Sequence, residues 1–195
     1  MPWVSTIKPI ILEKAILLFG ERGYDGLTTR DLAKAAGVGE PNIGRLFESK
    51  ENLYQVCLTT VTERARDELG KVLVSIYAEQ KNQNVRYFVT EAARRWYQSM
   101  PQASARFLQQ VMIADKKQQD KARAAIGQII STVAAALQEK AKGKSAAHAK
   151  ESAETLILAL FQYKVSLPHA VVDKEERDKV DLIIKNWLEK VLGER

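Results

Sequence analysis

Two short amphipathic helical patterns flank a glycine within residues 28–50, TTRDLAKAAGVGEPNIGRLFESK, and no other feature constrains the fold as strongly. Ala33, Gly37 and Ile43 lie four and six residues apart in this stretch. Two helices that cross steeply need a small residue at their contact, a tight turn between them and an apolar anchor on the second helix. The spacing therefore predicts a helix-turn-helix motif, whose second helix enters the major groove of DNA.

Residues at the helix ends support this prediction. Thr28 is a good N-cap, and Asp31 completes a capping box with it, so the second helix begins near residue 29. Gly37 ends that helix, because glycine adopts the left-handed conformation without a steric penalty. Pro41 is tolerated only in the first turn of the next helix, and Ser49 is a suitable cap for a helix that begins at residue 50.

The recognition helix has two distinct faces. Helical spacing predicts an inward apolar stripe formed by Ile43, Leu46 and Phe47. It leaves an outward polar face formed by Glu40, Asn42, Gly44 and Arg45. We expect the outward residues to meet the base edges of the major groove.

The remaining sequence predicts an all-α protein. Hydrophobic residues make up 46% of the chain, and Gly and Pro number only 10 and 5, a composition that favours helices joined by short turns. A first helix is predicted over about residues 5–22, and a last helix over about residues 173–192. Breaks between the later helices are predicted at residues 82–84, 101, 142–145 and 166–168. We predict an N-terminal three-helix DNA-binding domain at 1–54 and a helical-bundle ligand-binding and dimerisation domain at 55–195.

Residues 11–58 resemble the tetracycline-repressor (TetR) family of transcriptional regulators. The resemblance is carried by AxxLFxxxGY, the TT pair, the AxxAGV turn and FxSKExL at fixed spacing. It implies phosphate contacts by Thr29 and Lys50 and base contacts within residues 40–45. Two positions depart from the family pattern, because Gly44 stands where a Tyr is usual and Leu46 where a His is common. The predicted DNA-binding residues are Thr29, Arg30, Glu40, Pro41, Asn42, Gly44, Arg45 and Lys50.

Net charge alone does not identify a DNA-binding domain. The chain carries a formal charge of +6, yet residues 1–54 contain seven basic and seven acidic residues, so the whole excess lies in residues 55–195. Placement is more informative than bulk charge, because Arg30, Lys34, Arg45 and Lys50 cluster in the motif. These residues either contact DNA or form an ordinary solvated surface.

The resemblance also implies that the C-terminal half dimerises through its last two long helices and holds an effector pocket. Apolar stripes at helical spacing ordinarily form a core, and here they are also candidates for an interface between two copies. The predicted dimer-interface residues are Leu156, Leu160, Ile184, Trp187, Leu188 and Val191. The predicted ligand-binding residues are Phe88, Trp96, Phe107, Met112 and Tyr163, with ordinary packing as the alternative. Arg94 and Arg95 either meet an anionic effector or form a solvated face.

The sequence predicts neither an enzyme nor a cofactor or metal protein. His148 and His169 are the two histidines of the chain, and neither has nearby acidic or thiol partners of the kind found in metal sites and catalytic triads. A phosphate-binding glycine loop is also missing from the sequence. Because the sequence has neither an apolar run of membrane length nor a signal peptide, we expect no membrane partner and a cytoplasmic location.

These features predict a ligand-responsive transcriptional regulator, most simply a repressor. It would bind a palindromic double-stranded DNA operator as a homodimer and be released by an unidentified small-molecule effector. The alternative is a protein-interaction adaptor that keeps the fold and no longer reads DNA, an interpretation that the neutral first domain, Gly44 and Leu46 favour.

Overall fold

The computed structural model describes residues 2–79, 85–113, 116–140, 146–166 and 174–192. Within these ranges the regular structure is entirely helical, which confirms the predicted all-α class. The helices are α1 (Pro2–Arg22), α2 (Thr29–Ala36), α3 (Glu40–Phe47), α4 (Lys50–Glu79), α5 (Val85–Ser99), α6 (Gln102–Ile113), α7 (Lys116–Lys140), α8 (Ala146–Ser166) and α9 (Lys174–Leu192). The predicted break at Pro101 is confirmed, whereas those at 82–84 and 142–145 fall outside the described residues.

The caps that position α2 and α3 are formed as the sequence predicts. The Asp31 amide donates a hydrogen bond of 3.1 Å to Thr28 Oγ1, and the Thr28 amide donates one of 2.9 Å to Asp31 Oδ2. Hydrogen bonds from Thr28 hold the pKa of Asp31 below its ordinary value. Gly37 adopts φ +67°, which ends α2 in the left-handed conformation. The turn between α2 and α3 is therefore defined by local chemistry.

The chain divides into two compact units. The first comprises residues 1–63 and 102–125, and the second comprises residues 64–101 and 126–195. The predicted boundary after residue 54, between a DNA-binding domain and a ligand-binding and dimerisation domain, stays a prediction. The grouping of 102–125 with the N-terminal helices was not expected from the sequence.

Packing of α6 against α1 explains this grouping. A Cβ atom at Gly20 would lie 3.0 Å from the Phe107 backbone nitrogen, so glycine allows the close approach of the two helices. Phe107 is fully buried, and its ring centroid lies 5.3 Å from that of Tyr54. Phe19 joins the same cluster, 5.0 Å from Tyr54. The core behind α2 and α3 is thus completed by a helix from later in the chain.

Two indole hydrogen bonds mark the interior of the second unit. Trp96 Nε1 on α5 donates to the Ala65 carbonyl of α4 at 2.8 Å. Trp187 Nε1 on α9 donates to the Ser152 carbonyl of α8 at 2.9 Å. Both bonds are buried, so each aromatic ring can be enclosed without leaving an unpaired polar group.

Most of the predicted dimer-interface residues lie in the interior of one chain. Ile184, Leu188 and Trp187 on α9 are buried within a single chain, and so are Leu156 and Leu160 on α8. Helix α8 packs against α9, and α9 also packs against α5. These five residues therefore form the core of one chain. Val191, the sixth predicted residue, has a side chain outside the described part of the structure.

Candidate nucleic-acid interface

The two faces of α3 are arranged as the sequence predicts. Ile43 and Phe47 are buried beneath the helix, and Leu46 is half-buried. The other face carries Glu40, Pro41, Asn42, Gly44 and Arg45, of which Asn42 is half-buried and the rest are exposed. Helix α3 packs on both α1 and α2. This packing supports α3 and leaves its polar surface facing solvent, as entry into a DNA groove requires.

Arg45 lies on this exposed face and is oriented by its own helix. Its Nη2 atom donates a hydrogen bond of 3.1 Å to Asn42 Oδ1, one turn earlier. A guanidinium can form two parallel hydrogen bonds with a guanine edge, which is the commonest specific contact in protein–DNA complexes. The contact with Asn42 restricts the arginine side chain before any DNA is bound.

Glu40 ties the start of α3 to the start of α2. Thr29 Oγ1 donates a hydrogen bond of 2.7 Å to Glu40 Oε1, and Arg30 Nε approaches Glu40 Oε2 at 3.4 Å. Because these two side chains stabilise the carboxylate, the pKa of Glu40 lies below its ordinary value, the bond from Thr29 being the larger cause. Thr29 and Arg30, two predicted DNA-binding residues, thus already contact an anion in the absence of DNA. A DNA phosphate must compete with Glu40 for them.

Lys50 has a structural role that the sequence did not indicate. Its Nζ atom donates to the Tyr24 carbonyl at 3.0 Å and to the Leu27 carbonyl at 2.9 Å. It also lies 4.0 Å from the centroid of the Tyr24 ring. The ammonium group therefore fastens the turn between α1 and α2 to the start of α4. An ammonium has three donors, so a single donor is left for the phosphate contact that the family resemblance implies.

We expect Lys50→Met to lower the free energy of unfolding by about 2 kcal/mol, because two charged hydrogen bonds are lost while the aliphatic stem is kept. Urea denaturation followed by tryptophan fluorescence measures this change. Lys34→Met removes an exposed cation from α2 and is the matched control, with an expected change within about 0.5 kcal/mol. Unchanged stability of Lys50→Met together with weaker DNA binding would instead make Lys50 a phosphate contact.

The junction of α3 and α4 contains a strained residue. Glu48 adopts φ +67° and ψ −48°, and it is the non-glycine residue with positive φ in the described backbone. The Ser49 amide donates to the Phe47 carbonyl at 2.7 Å, which closes a γ-turn around Glu48. Asn52 Nδ2 donates to the same carbonyl at 3.0 Å, while the Asn52 amide bonds to Ser49 Oγ. The predicted Ser49 cap is confirmed, and these bonds hold the end of α3 directly on α4.

A separate apolar cavity, partly open to solvent, lies in the second unit. Phe88 and Trp96, two predicted ligand-binding residues, line it. Phe107 does not, because α6 carries it into the aromatic cluster of the first unit. The side chains of Met112 and Tyr163 lie outside the described part of the structure. The cavity is therefore built mainly by residues that the sequence did not single out.

Residues 11–57 match the model of a family described as bacterial regulatory proteins, tetR family. The similarity to this family therefore runs from within α1 to within α4. Over 49 residues the chain is 39% identical to the biofilm operon icaADBC HTH-type negative transcriptional regulator IcaR of Staphylococcus aureus (strain Newman). That match covers 25% of this chain and 26% of the relative, so the sequence similarity is confined to about a quarter of each protein.

Solved structures of regulators extend the similarity in fold beyond the tetR segment. A TetR-like transcriptional regulator from Rhodococcus sp. RHA1 superposes with a TM-score of 0.71 at 16% identity, covering 96% of this chain and 97% of that one. The transcriptional regulator FadR from Bacillus subtilis, solved in complex with stearoyl-CoA, gives a TM-score of 0.69 at 11% identity, covering 95% and 98%. At such identities the likeness concerns the fold. Both neighbours are named as transcriptional regulators.

Cys57, the last residue of the segment that matches the family model, is inaccessible to solvent. Burial raises the pKa of its thiol to about 12, so the thiol stays protonated near neutral pH. Within the described ranges, none of the helices combines the length and apolar character that a membrane span requires.

Proposed function

We propose that this chain is a transcriptional repressor that binds a palindromic DNA operator as a homodimer and releases it when a small molecule occupies the cavity of the second unit. The observation that carries the proposal is the exposed polar face of α3 on a helix whose other face is buried. Capping by Thr28, the left-handed Gly37 and the γ-turn at Glu48 fix both ends of the motif. A rigid, solvent-facing helix of this kind is suited to reading base edges.

The repressor direction and the ligand response are supported by the relatives. IcaR is named a negative transcriptional regulator, and the FadR structure contains stearoyl-CoA. In this chain the apolar cavity and the α3 face lie in different compact units. A ligand would therefore act at a distance, by favouring a conformation that fits DNA poorly.

A homodimer is proposed because one recognition helix reads only a short half-site, and two-fold symmetry matches palindromic operators. Because the stripes of α8 and α9 already pack within one chain, the proposed interface would also need exposed residues. Leu182 on α9 is an apolar candidate for such a surface, because 54% of it is exposed.

The decisive experiment is selection of bound sequences from random double-stranded DNA by the full-length chain, followed by sequencing. We expect an enriched palindrome whose half-sites lie about one helical turn apart. Enrichment of no sequence, combined with recovery of a specific protein partner, would instead favour the adaptor alternative.

A second test concerns Gly44, where glycine costs a short helix about 1 kcal/mol relative to alanine. A Cβ atom at this position would have no neighbour within 4 Å in the free protein. We therefore expect Gly44→Ala to raise the melting temperature and to weaken operator binding, because the added methyl group would hold α3 away from the groove floor. Thermal denaturation and fluorescence anisotropy on the same variant measure both effects.

Gly70→Ala is the matched control, since a Cβ atom at Gly70 in α4 also meets nothing within 4 Å. It should raise the melting temperature with no change in operator affinity. If Gly44→Ala binds the operator as tightly as the wild type or more tightly, Gly44 is not a site of close approach to DNA.

A further inference from the structure

The lining of the cavity in the second unit is composed of hydrocarbon and aromatic side chains among the described residues. Most of these residues are fully buried, while Leu73 on α4 and Val133 on α7 are partly exposed. The lining comprises Leu69, Leu73, Phe88, Val89, Ala92, Ala93, Trp96, Val133, Leu156, Ile157 and Leu160. The indole of Trp96 contributes the polar group of this lining, and its N–H already donates to the Ala65 carbonyl.

The arginines of α5 are also engaged within the protein. Arg94 forms two hydrogen bonds with the carboxylate of Asp181, at 3.0 and 2.9 Å, and pairs with Glu91. Arg95 donates to Glu91 at 3.1 Å and to Ser75 at 3.3 Å. The two guanidinium groups therefore face two carboxylates. The sequence left open whether these arginines meet an anionic effector, and in the structure their charges are balanced internally.

A buried lysine lies one helical turn beyond the cavity lining on α8. Lys164 follows Leu160 by four residues, and its Nζ atom lies 4.4 Å from the centroid of the Tyr97 ring. The Tyr97 hydroxyl donates to Glu176 Oε1 at 2.7 Å. Lys164 and Glu176 are both buried. The cluster therefore combines one basic and one acidic side chain away from solvent. Burial lowers the pKa of Lys164, and the nearby Glu176 partly offsets that effect.

Arg94, Arg95 and Lys164 thus each have a carboxylate of the same unit nearby. An anionic ligand would bring a negative charge against a lining of hydrocarbon and aromatic side chains. Burial of an unpaired charge is strongly unfavourable, whereas burial of an apolar surface is favourable.

We propose that the cavity binds an uncharged, apolar small molecule and discriminates against the same skeleton carrying a carboxylate. This proposal specifies the chemical class of the ligand, and its role in regulation depends on the proposed function. It concerns this cavity alone and differs from the acyl-CoA complex of the structural neighbour, whose ligand carries phosphates.

Binding to the full-length chain without DNA is the direct test. The probes are two matched pairs, 2-methylnaphthalene with 2-naphthoate and 1-decanol with decanoate, at pH 8 and below the micelle concentration. Titration calorimetry or tryptophan fluorescence gives the dissociation constants. We expect the neutral member to bind about tenfold more tightly or better in at least one pair. Equal or tighter binding of the carboxylates, or no binding of either neutral probe, would overturn the inference.

A substitution at the partly exposed lining residue sharpens the test. Leu73→Lys adds a cation at the cavity and should shift the preference toward the carboxylates by about tenfold or more, because the anion then has a partner. Val74→Lys is the control, since Val74 is the next residue of α4, is 69% exposed and does not line the cavity. It should leave the preference unchanged. The same shift in both variants would mean that long-range charge, rather than the cavity, sets the preference.

Operator release by the probes separates this inference from the proposed function. If a neutral probe binds the chain and does not weaken operator binding, the proposed release of the operator by a ligand is wrong, and the proposed preference for an uncharged ligand is supported. If a carboxylate binds more tightly than its neutral partner and releases the operator, the proposed release by a ligand is supported, and the proposed preference for an uncharged ligand is wrong.

Discussion

Replacing Ile184 with glutamate should prevent the chain from folding stably, whereas the same replacement at Leu182 should leave its stability unchanged. Ile184 is fully buried between α9 and its neighbours, while Leu182, two residues earlier, is 54% exposed. A buried carboxylate loses the packing of the isoleucine and gains no partner, at an expected cost of about 4 kcal/mol or more. That cost is a large fraction of the 5–15 kcal/mol that typically stabilises a protein, roughly 0.05–0.15 kcal/mol per residue.

Urea denaturation and sedimentation of both variants measure the difference. Leu182→Glu should unfold within about 0.5 kcal/mol of the wild type. A change of this variant from dimer to monomer would identify the exposed face of α9 as the interface between copies. If Ile184→Glu stays folded with an unchanged midpoint and becomes monomeric, Ile184 belongs to an interface between copies and not to the core.

The pair Ile184 and Leu182 also shows what an amphipathic pattern can predict. Periodicity indicated correctly that Ile184 faces an apolar environment. It does not specify whether that environment is supplied by the same chain or by a second copy. The sequence therefore identified the buried stripes of α8 and α9, which pack within one chain, and left open whether a second copy also contacts them.

Features encoded by neighbouring residues were predicted in detail. The capping box of Thr28 and Asp31, the left-handed Gly37 and the cap at Ser49 are confirmed, because each depends on residues within one helical turn. The positive φ of Glu48 was not predicted, because no neighbouring residue signals it. Positive φ is ordinarily signalled by glycine, and here the hydrogen bonds of the α3–α4 junction hold a glutamate in that conformation.

Contacts between distant parts of the sequence were not predicted. Lys50 bonds carbonyls 23 and 26 residues earlier in the chain, and no local pattern reports such a bond. Phe107 was assigned to a ligand pocket because aromatic residues suit one, yet the glycine at position 20 allows α6 to pack on α1. Apart from Phe88 and Trp96, the residues that line the cavity occupy ordinary apolar positions on several helices, and no local pattern marks them as a pocket.

The largest expected effect on DNA binding comes from Arg45. Arg45→Ala should weaken binding to the selected operator by about 1–3 kcal/mol and should change binding to random DNA little, because a base contact is specific to its site. The exposed position of Arg45 on α3 and its contact with Asn42 support this assignment. Fluorescence anisotropy at one fixed salt concentration, with operator and random duplexes of equal length, measures both affinities.

Two controls distinguish base reading by Arg45 from simple charge. Arg45→Lys keeps the positive charge and loses the paired geometry of the guanidinium, so it should lose most of the operator preference as well. Lys14→Ala removes an exposed cation from α1 and should weaken binding to both duplexes slightly and equally. Equal weakening of both duplexes by Arg45→Ala would make Arg45 a phosphate contact. If Arg45→Ala weakens neither, α3 does not read DNA and the adaptor alternative becomes the better account of this chain.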